Sequence, residues 1–157
     1  MAMRGVFSGI ALVFLLSVVA ACGGRSRLSA SAYRAQLAKI GKQADKAQAQ
    51  VEKALSAKSV AEIRARLSAF AKADDRLGDE VSRLNPPKNA HAANTELVRG
   101  EHDTASATRS AVAKLAKIKN VKEALSFLNS SLGNAKGAHE LDQALSELKK
   151  LGYTKGS

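Results

Sequence analysis

From Tyr33 onward the apolar residues of this chain recur every three or four positions, with no apolar–polar alternation of the kind a strand needs. Only a helix gathers residues at that spacing onto one face, so the pattern restricts the chain to packed amphipathic helices. Tyr33, Leu37, Ile40, Ala44, Ala47, Val51 and Leu55 (or Ala54) form the first stripe and predict a helix over 30–56. Val60, Ile63, Leu67, Phe70, Leu77, Val81 and Leu84 form the second. Its start carries the capping-box pattern Ser59-Val60-Ala61-Glu62, and Asn85-Pro86-Pro87 closes it, because proline cannot continue the hydrogen-bond ladder. A weaker third seam, Ala90, Ala93, Leu97, Thr104, Ala111, Leu115 and Ile118, predicts a helix over 89–118. Val121, Leu125, Leu128, Leu132, Ala135, Leu141, Leu145 and Leu148 complete a fourth, with Asn120 as N-cap and Gly152 as a left-handed C-cap.

Long helices joined by short turns run antiparallel. The expected fold is all-α, an antiparallel up-down-up-down four-helix bundle over 30–153 with a tail at 154–157. Two long helical hairpins pairing as a dimer satisfy the same pattern, and the oligomeric state stays open. Aromatic residues make up only 4% of the chain, so the core must be built from leucine and alanine.

The N-terminal segment has a different character. Arg4 supplies one positive charge, and Val6 to Ala21 is then almost wholly apolar and ends in small residues, as in a secretory signal. Val19-Ala20-Ala21-Cys22 contains the only cysteine of the chain. These four residues resemble the lipobox of bacterial lipoproteins, with Val19 in the place where leucine is usual. The resemblance implies cleavage between Ala21 and Cys22, removal of residues 1–21, and lipidation of the Cys22 sulfur, with palmitate-type acylation of the new terminus. Gly23 stands where an inner-membrane retention signal would place aspartate. Residues 22–29 then form a short Gly/Arg/Ser tether, and the expected location is the extracytoplasmic side of the cell membrane, held by lipid. The type of envelope is left open. In layout the mature part also resembles small uncharacterised helical lipoproteins of actinobacteria, through the lipobox, the glycine tether, Leu84-Asn85-Pro86-Pro87 and the closing Leu151-Gly152-Tyr153.

Lys and Arg number 25 against 14 Asp and Glu, a formal charge of +11. Export argues against nucleic acid as the partner, which leaves the membrane itself and envelope proteins or anionic polymers. No cysteine other than Cys22 exists to form a disulfide, so packing must hold the fold.

Counting from the turns places polar residues at mid-height. Asp74 lies on the second seam about eleven residues before Asn85, and Glu101 lies about as far beyond the turn on the third. His139 falls near the same height on the fourth helix, Gln43 to Asp45 on the first, and Gly41, Gly78, Gly100 and Gly137 lie close by. Such a layer either fixes helix register or borders a pocket. The chain lacks Glu-x-x-His and Cys-x-x-Cys-His, so no cofactor or metal is expected. His91 and His102 have no fixed partner in the pattern, and neither a nucleophile turn nor a phosphate-cradling loop is present. The expectation is therefore a non-enzymatic, membrane-anchored envelope module that binds protein or polymer. A carrier or sensor with a mid-bundle ligand pocket is the alternative.

Overall fold

The computed structural model describes residues 26–132 and 135–154, and these are all-helical apart from turns. Five α-helices follow one another: α1 (Ala30–Leu55), α2 (Val60–Ser82), α3 (His91–Leu115), α4 (Val121–Leu132) and α5 (Lys136–Lys150), with a 3₁₀ turn at Lys88–Ala90 leading into α3. The starts and stops are local chemistry. Ser59 Oγ accepts the Glu62 amide at 3.1 Å, and Asn120 Oδ1 accepts the amides of Lys122 and Glu123 at 2.8 and 3.3 Å. Each satisfies amides that the first helical turn leaves without an internal partner. At the end of α5, Gly152 adopts φ +76°, and the amides of Gly152 and Tyr153 turn back to the carbonyls of Lys149 and Leu148. That paired return is the Schellman motif, which glycine adopts without a Cβ penalty.

The fourth stripe is not one helix. It divides into α4 and α5, and Ala135 between them is extended at φ −66°, ψ 132°. Gly133 and Asn134, both poor helix formers, lie in sequence at this break and outside the described residues. The two segments are consequently phased separately. Ala124 and Leu128 are the buried residues of α4, and Gly137, Glu140, Ala144 and Leu148 those of α5, whereas Leu145 is 45% exposed. Smaller corrections concern the ends. Helix three spans His91–Leu115 rather than 89–118, and Ala54, not Leu55, is buried on α1.

The buried apolar side chains form two clusters. One joins Tyr33, Leu37 and Ile40 of α1 to Leu77 and Val81 of α2, Ala93 and Leu97 of α3, and Ala144 and Leu148 of α5. The other joins Ala54, Ile63, Leu67, Ala111, Leu115, Ala124 and Leu128. The start of each long helix thus lies beside the end of the one before it. At the first cluster's outer end, Tyr33 Oη donates to Asn94 Oδ1 at 2.9 Å, and its ring meets Tyr153 edge-on at 5.1 Å. Leu28 and Arg27 bond the carbonyls of Asn85 and Pro86, which pins the segment before α1 to the α2–α3 turn.

Neighbour relations decide the shape. α1 packs on α2, α2 on α3 and α3 on α5, while α1 and α5 have no comparable backbone contact. α3 and α5 approach through glycine: a Cβ on Gly100 would lie 2.9 Å from the Leu141 nitrogen, and one on Gly137 would lie 2.8 Å from the Gly100 carbonyl oxygen. Arg99 and Lys136 close on the buried Glu140 beside this contact, at 2.8 and 3.2 Å. Gly41 differs, since a Cβ there would meet nothing within 4 Å. Gly41→Ala should therefore raise stability by up to about 1 kcal/mol, through reduced freedom of the unfolded chain. Gly137→Ala should lower it by about 1–3 kcal/mol, because the backbone cannot yield. Urea unfolding followed by circular dichroism distinguishes the two; equal effects would contradict this packing.

Candidate binding groove between the first and last helices

Where α1 and α5 stand apart, a groove of about 360 Å³ opens to the middle of the helices. Its walls are Leu37, Ile40, Gly41 and Ala44 from α1 and Leu141, Leu145 and Leu148 from α5. Phe70, Asp74 and Leu77 of α2 and Leu97, Glu101 and Thr104 of α3 form its floor, with Asp45, Gln48 and Thr154 also lining it. Helical periodicity explains the set. Asp74 follows Phe70 by four and precedes Leu77 by three, as Glu101 follows Leu97 by four and precedes Thr104 by three, so both acids share a face with core leucines.

That placement is electrostatically costly. Asp74 is only 3% exposed, and its Oδ2 is buried with no hydrogen-bond partner. Burial pushes the Asp74 carboxyl up to about 8, helped by the nearby charges of Glu101 and Asp75. Burial likewise raises Glu101 to about 7. An apolar surrounding stabilises the neutral acid over the carboxylate, and a second acid nearby adds to the effect. Three carboxyl groups line the groove, and among the described residues no lysine, arginine or histidine does.

The structure brings Asp74 and Glu101 together and leaves His139 out. His139 is exposed on α5, 3.0 Å from Gln143 and beside Glu96 and Asp142 in a different surface depression. Its height is as expected, but the next residue, Glu140, takes the face toward α3, about 100° around the helix. Gln43 bonds Glu80 at 3.1 Å, so of residues 43–45 Asp45 is the polar one that lines the groove. His102 occupies the space over Gly78 and faces Asp75 and Asp79 at 3.4 and 3.8 Å, with Arg109 also paired to Asp75. His91 is exposed at the start of α3. Sequence reasoning passed over the buried polar residues Asn94, Thr108 and Glu140. The 3-4-4 spacing of Gly137, Glu140, Ala144 and Leu148 was the available signal for the last of these.

Among the described residues no three of His, Cys, Asp or Glu gather as metal ligands, and no helix is long and apolar enough to cross a membrane. Ala21 and Cys22 lie outside the described residues. No family model, curated protein or solved structure matches the chain.

The two acids make stability depend on pH in a definite direction. Their ordinary values are 3.8 and 4.5, so folding holds protons that the unfolded chain releases between there and about 7 to 8. This contribution is fully present in acid and is lost as pH rises through the folded values. Asp74→Asn removes the larger part. In urea unfolding at pH 5 and pH 9, the variant should gain on the parent at the higher pH; a constant difference between the two would contradict the burial of an ionisable Asp74.

Proposed function

We propose that this chain is an exported envelope lipoprotein, acylated at Cys22, whose helical domain holds a small ligand in the groove between α1 and α5. It binds and carries or senses rather than catalyses. The observation behind this reading is the groove itself, with a buried and unpartnered Asp74 oxygen on its floor. A cavity of a few hundred Å³, apolar apart from a few convergent polar groups, has the character of a small-molecule site. The burial of two carboxyl groups costs folding free energy that an apolar pair would not. A function in ligand recognition accounts for that cost.

The proposed architecture is an antiparallel up-down-up-down bundle in which α4 and α5 share the fourth position. The meeting of alternate helix ends in the two apolar clusters supports it. With lipid on Cys22, the tether to Leu28 spans about 20 Å at most. The end bearing Tyr33, Pro86 and Tyr153 then faces the bilayer, because Arg27 and Leu28 are bonded to that end.

A second reading concerns the opposite end. Exposed Lys53, Lys58, Lys114, Lys117, Lys119 and Lys122 cluster there, outnumbering Glu52, Glu62 and Glu123, and would suit an anionic envelope polymer. Binding of that kind weakens steeply with salt.

Two measurements test the main reading. Cells fed an alkyne palmitate should label the parent and not Cys22→Ser, which should also leave the membrane fraction; equal labelling would overturn the anchor. The neutral probe N-phenyl-1-naphthylamine should brighten on the parent at one saturable site. Ala44→Phe, which fills the groove from α1, should abolish that signal, and an undiminished signal would move the site elsewhere.

A further inference from the structure

We propose that the occupant of the groove is an amphipathic cation: a single ammonium group, primary or quaternary, on an apolar body. This rests on reading the groove as the binding site and adds the chemical class of its ligand.

Charge distribution is the first observation. The chain has a formal charge of +11, yet among the described residues every ionisable side chain lining the groove is an acid: Asp45 from α1, Asp74 from α2 and Glu101 from α3. α5 contributes only Leu141, Leu145 and Leu148 to the lining. Basic side chains outnumber acidic ones nearly two to one in this protein, so a concave surface to which the described residues bring three acids and no basic group is marked as a site for positive charge.

The unpartnered oxygen is the second. Asp74 Oδ2 is buried without a hydrogen-bond partner, in a residue 3% exposed, on the groove floor. Buried polar atoms are nearly always paired, and one left open is an acceptor awaiting a donor. Asp75, the adjacent acid on the same helix, is already engaged by Arg109 and His102 and does not line the groove. An ammonium brought to the floor would satisfy Asp74 and offset the repulsion between it and Glu101.

The third observation is the apolar wall. Leucines on both sides and the Phe70 ring offer no partner to a hydrated ion, but they match a hydrocarbon body, and an aromatic face also attracts an ammonium group. At ~30 Å³ for each water-sized unit, the cavity has room for about a dozen such units, the size of a short amphiphile. A bare divalent ion would bring charge without using this wall.

Binding is coupled to proton release. A cation on the floor favours the carboxylate forms of Asp74 and Glu101, so affinity for a permanently charged ligand rises with pH as these groups ionise. Asp45 is the remaining acid of the lining, and among the described residues no basic group of the lining faces them.

The test uses the full chain and competition against bound N-phenyl-1-naphthylamine. Heptyltrimethylammonium is compared with 1-heptanol, heptanoate and calcium ion at pH 6 and pH 9. The quaternary cation does not titrate, so any pH dependence belongs to the protein. It should displace the probe about tenfold more tightly than heptanol, and more tightly at pH 9 than at pH 6. In Asp74→Asn the preference for cation over alcohol should collapse, and Glu101→Gln should give the same collapse if the first variant misfolds. Equal or better displacement by heptanol or heptanoate, or a response to calcium alone, would overturn the assignment while leaving the groove as the site. Absence of any probe binding to the groove would instead remove the reading on which it rests.

Discussion

The closeness of α3 to α5 governs the rest of this structure. Gly100 and Gly137 carry no Cβ at the crossing, and the Leu141 backbone and Gly100 carbonyl occupy the space that side chains would need. Close-packed interiors gain their stability from such contact, because dispersion falls off quickly with separation. α5 packs closely on α3 and meets α1 only through side chains of the first apolar cluster. The ion pairs of Arg99 with the buried Glu140 and of Lys136 with Asp103 reinforce the same choice from the outer side. The opening between α1 and α5 therefore follows from how well α5 packs elsewhere, and the groove is a by-product of good packing next door.

Two apolar clusters, each drawing on several helices, hold the fold on either side of a polar middle. With a single cysteine in the sequence no disulfide can form within the chain, so leucine, alanine and a few tyrosines must supply the stability. Alanine permits close helix approach but buries little area, so large side chains at the ends carry much of it. Tyr33 illustrates this. Its ring packs on Tyr153 while its hydroxyl reaches Asn94, so a large group is buried with its polar tip satisfied. Asp74 has the opposite arrangement, burial without satisfaction. Local rules broken inside an otherwise consistent fold tend to mark function.

The proposed anchor and the proposed site fit one geometry. A short tether beginning at Cys22 would hold the Tyr33–Tyr153 end near the bilayer. The groove lies between that end and the lysine-rich one. A ligand with an apolar body and a cationic head shares the amphipathic character of molecules found at membrane surfaces, and a groove held beside the bilayer is placed to meet them.

Much of the helical order was legible in the sequence. The stripes placed α1, α2 and α3 to within a few residues, and Ser59, Asn120 and Gly152 marked the start of α2, the start of α4 and the end of α5, because capping is chemistry within a few neighbouring residues. Asp74 and Glu101 could be placed at one height on core-facing seams because helical rise and turn position are sufficient for that count. The sequence did not decide which helix faces would close and which would part. His139 was placed by height alone, which does not say which way a residue faces, and with 121–151 read as one continuous helix the rephasing at the break before Lys136 could not be anticipated. Whether the polar residues at mid-height would seal a core or line an opening depended on side-chain volumes meeting across helices far apart in the chain. Local periodicity determined the helices and the height of the acids; the glycine-mediated packing of α5 on α3, a tertiary matter of shape, turned that height into a groove.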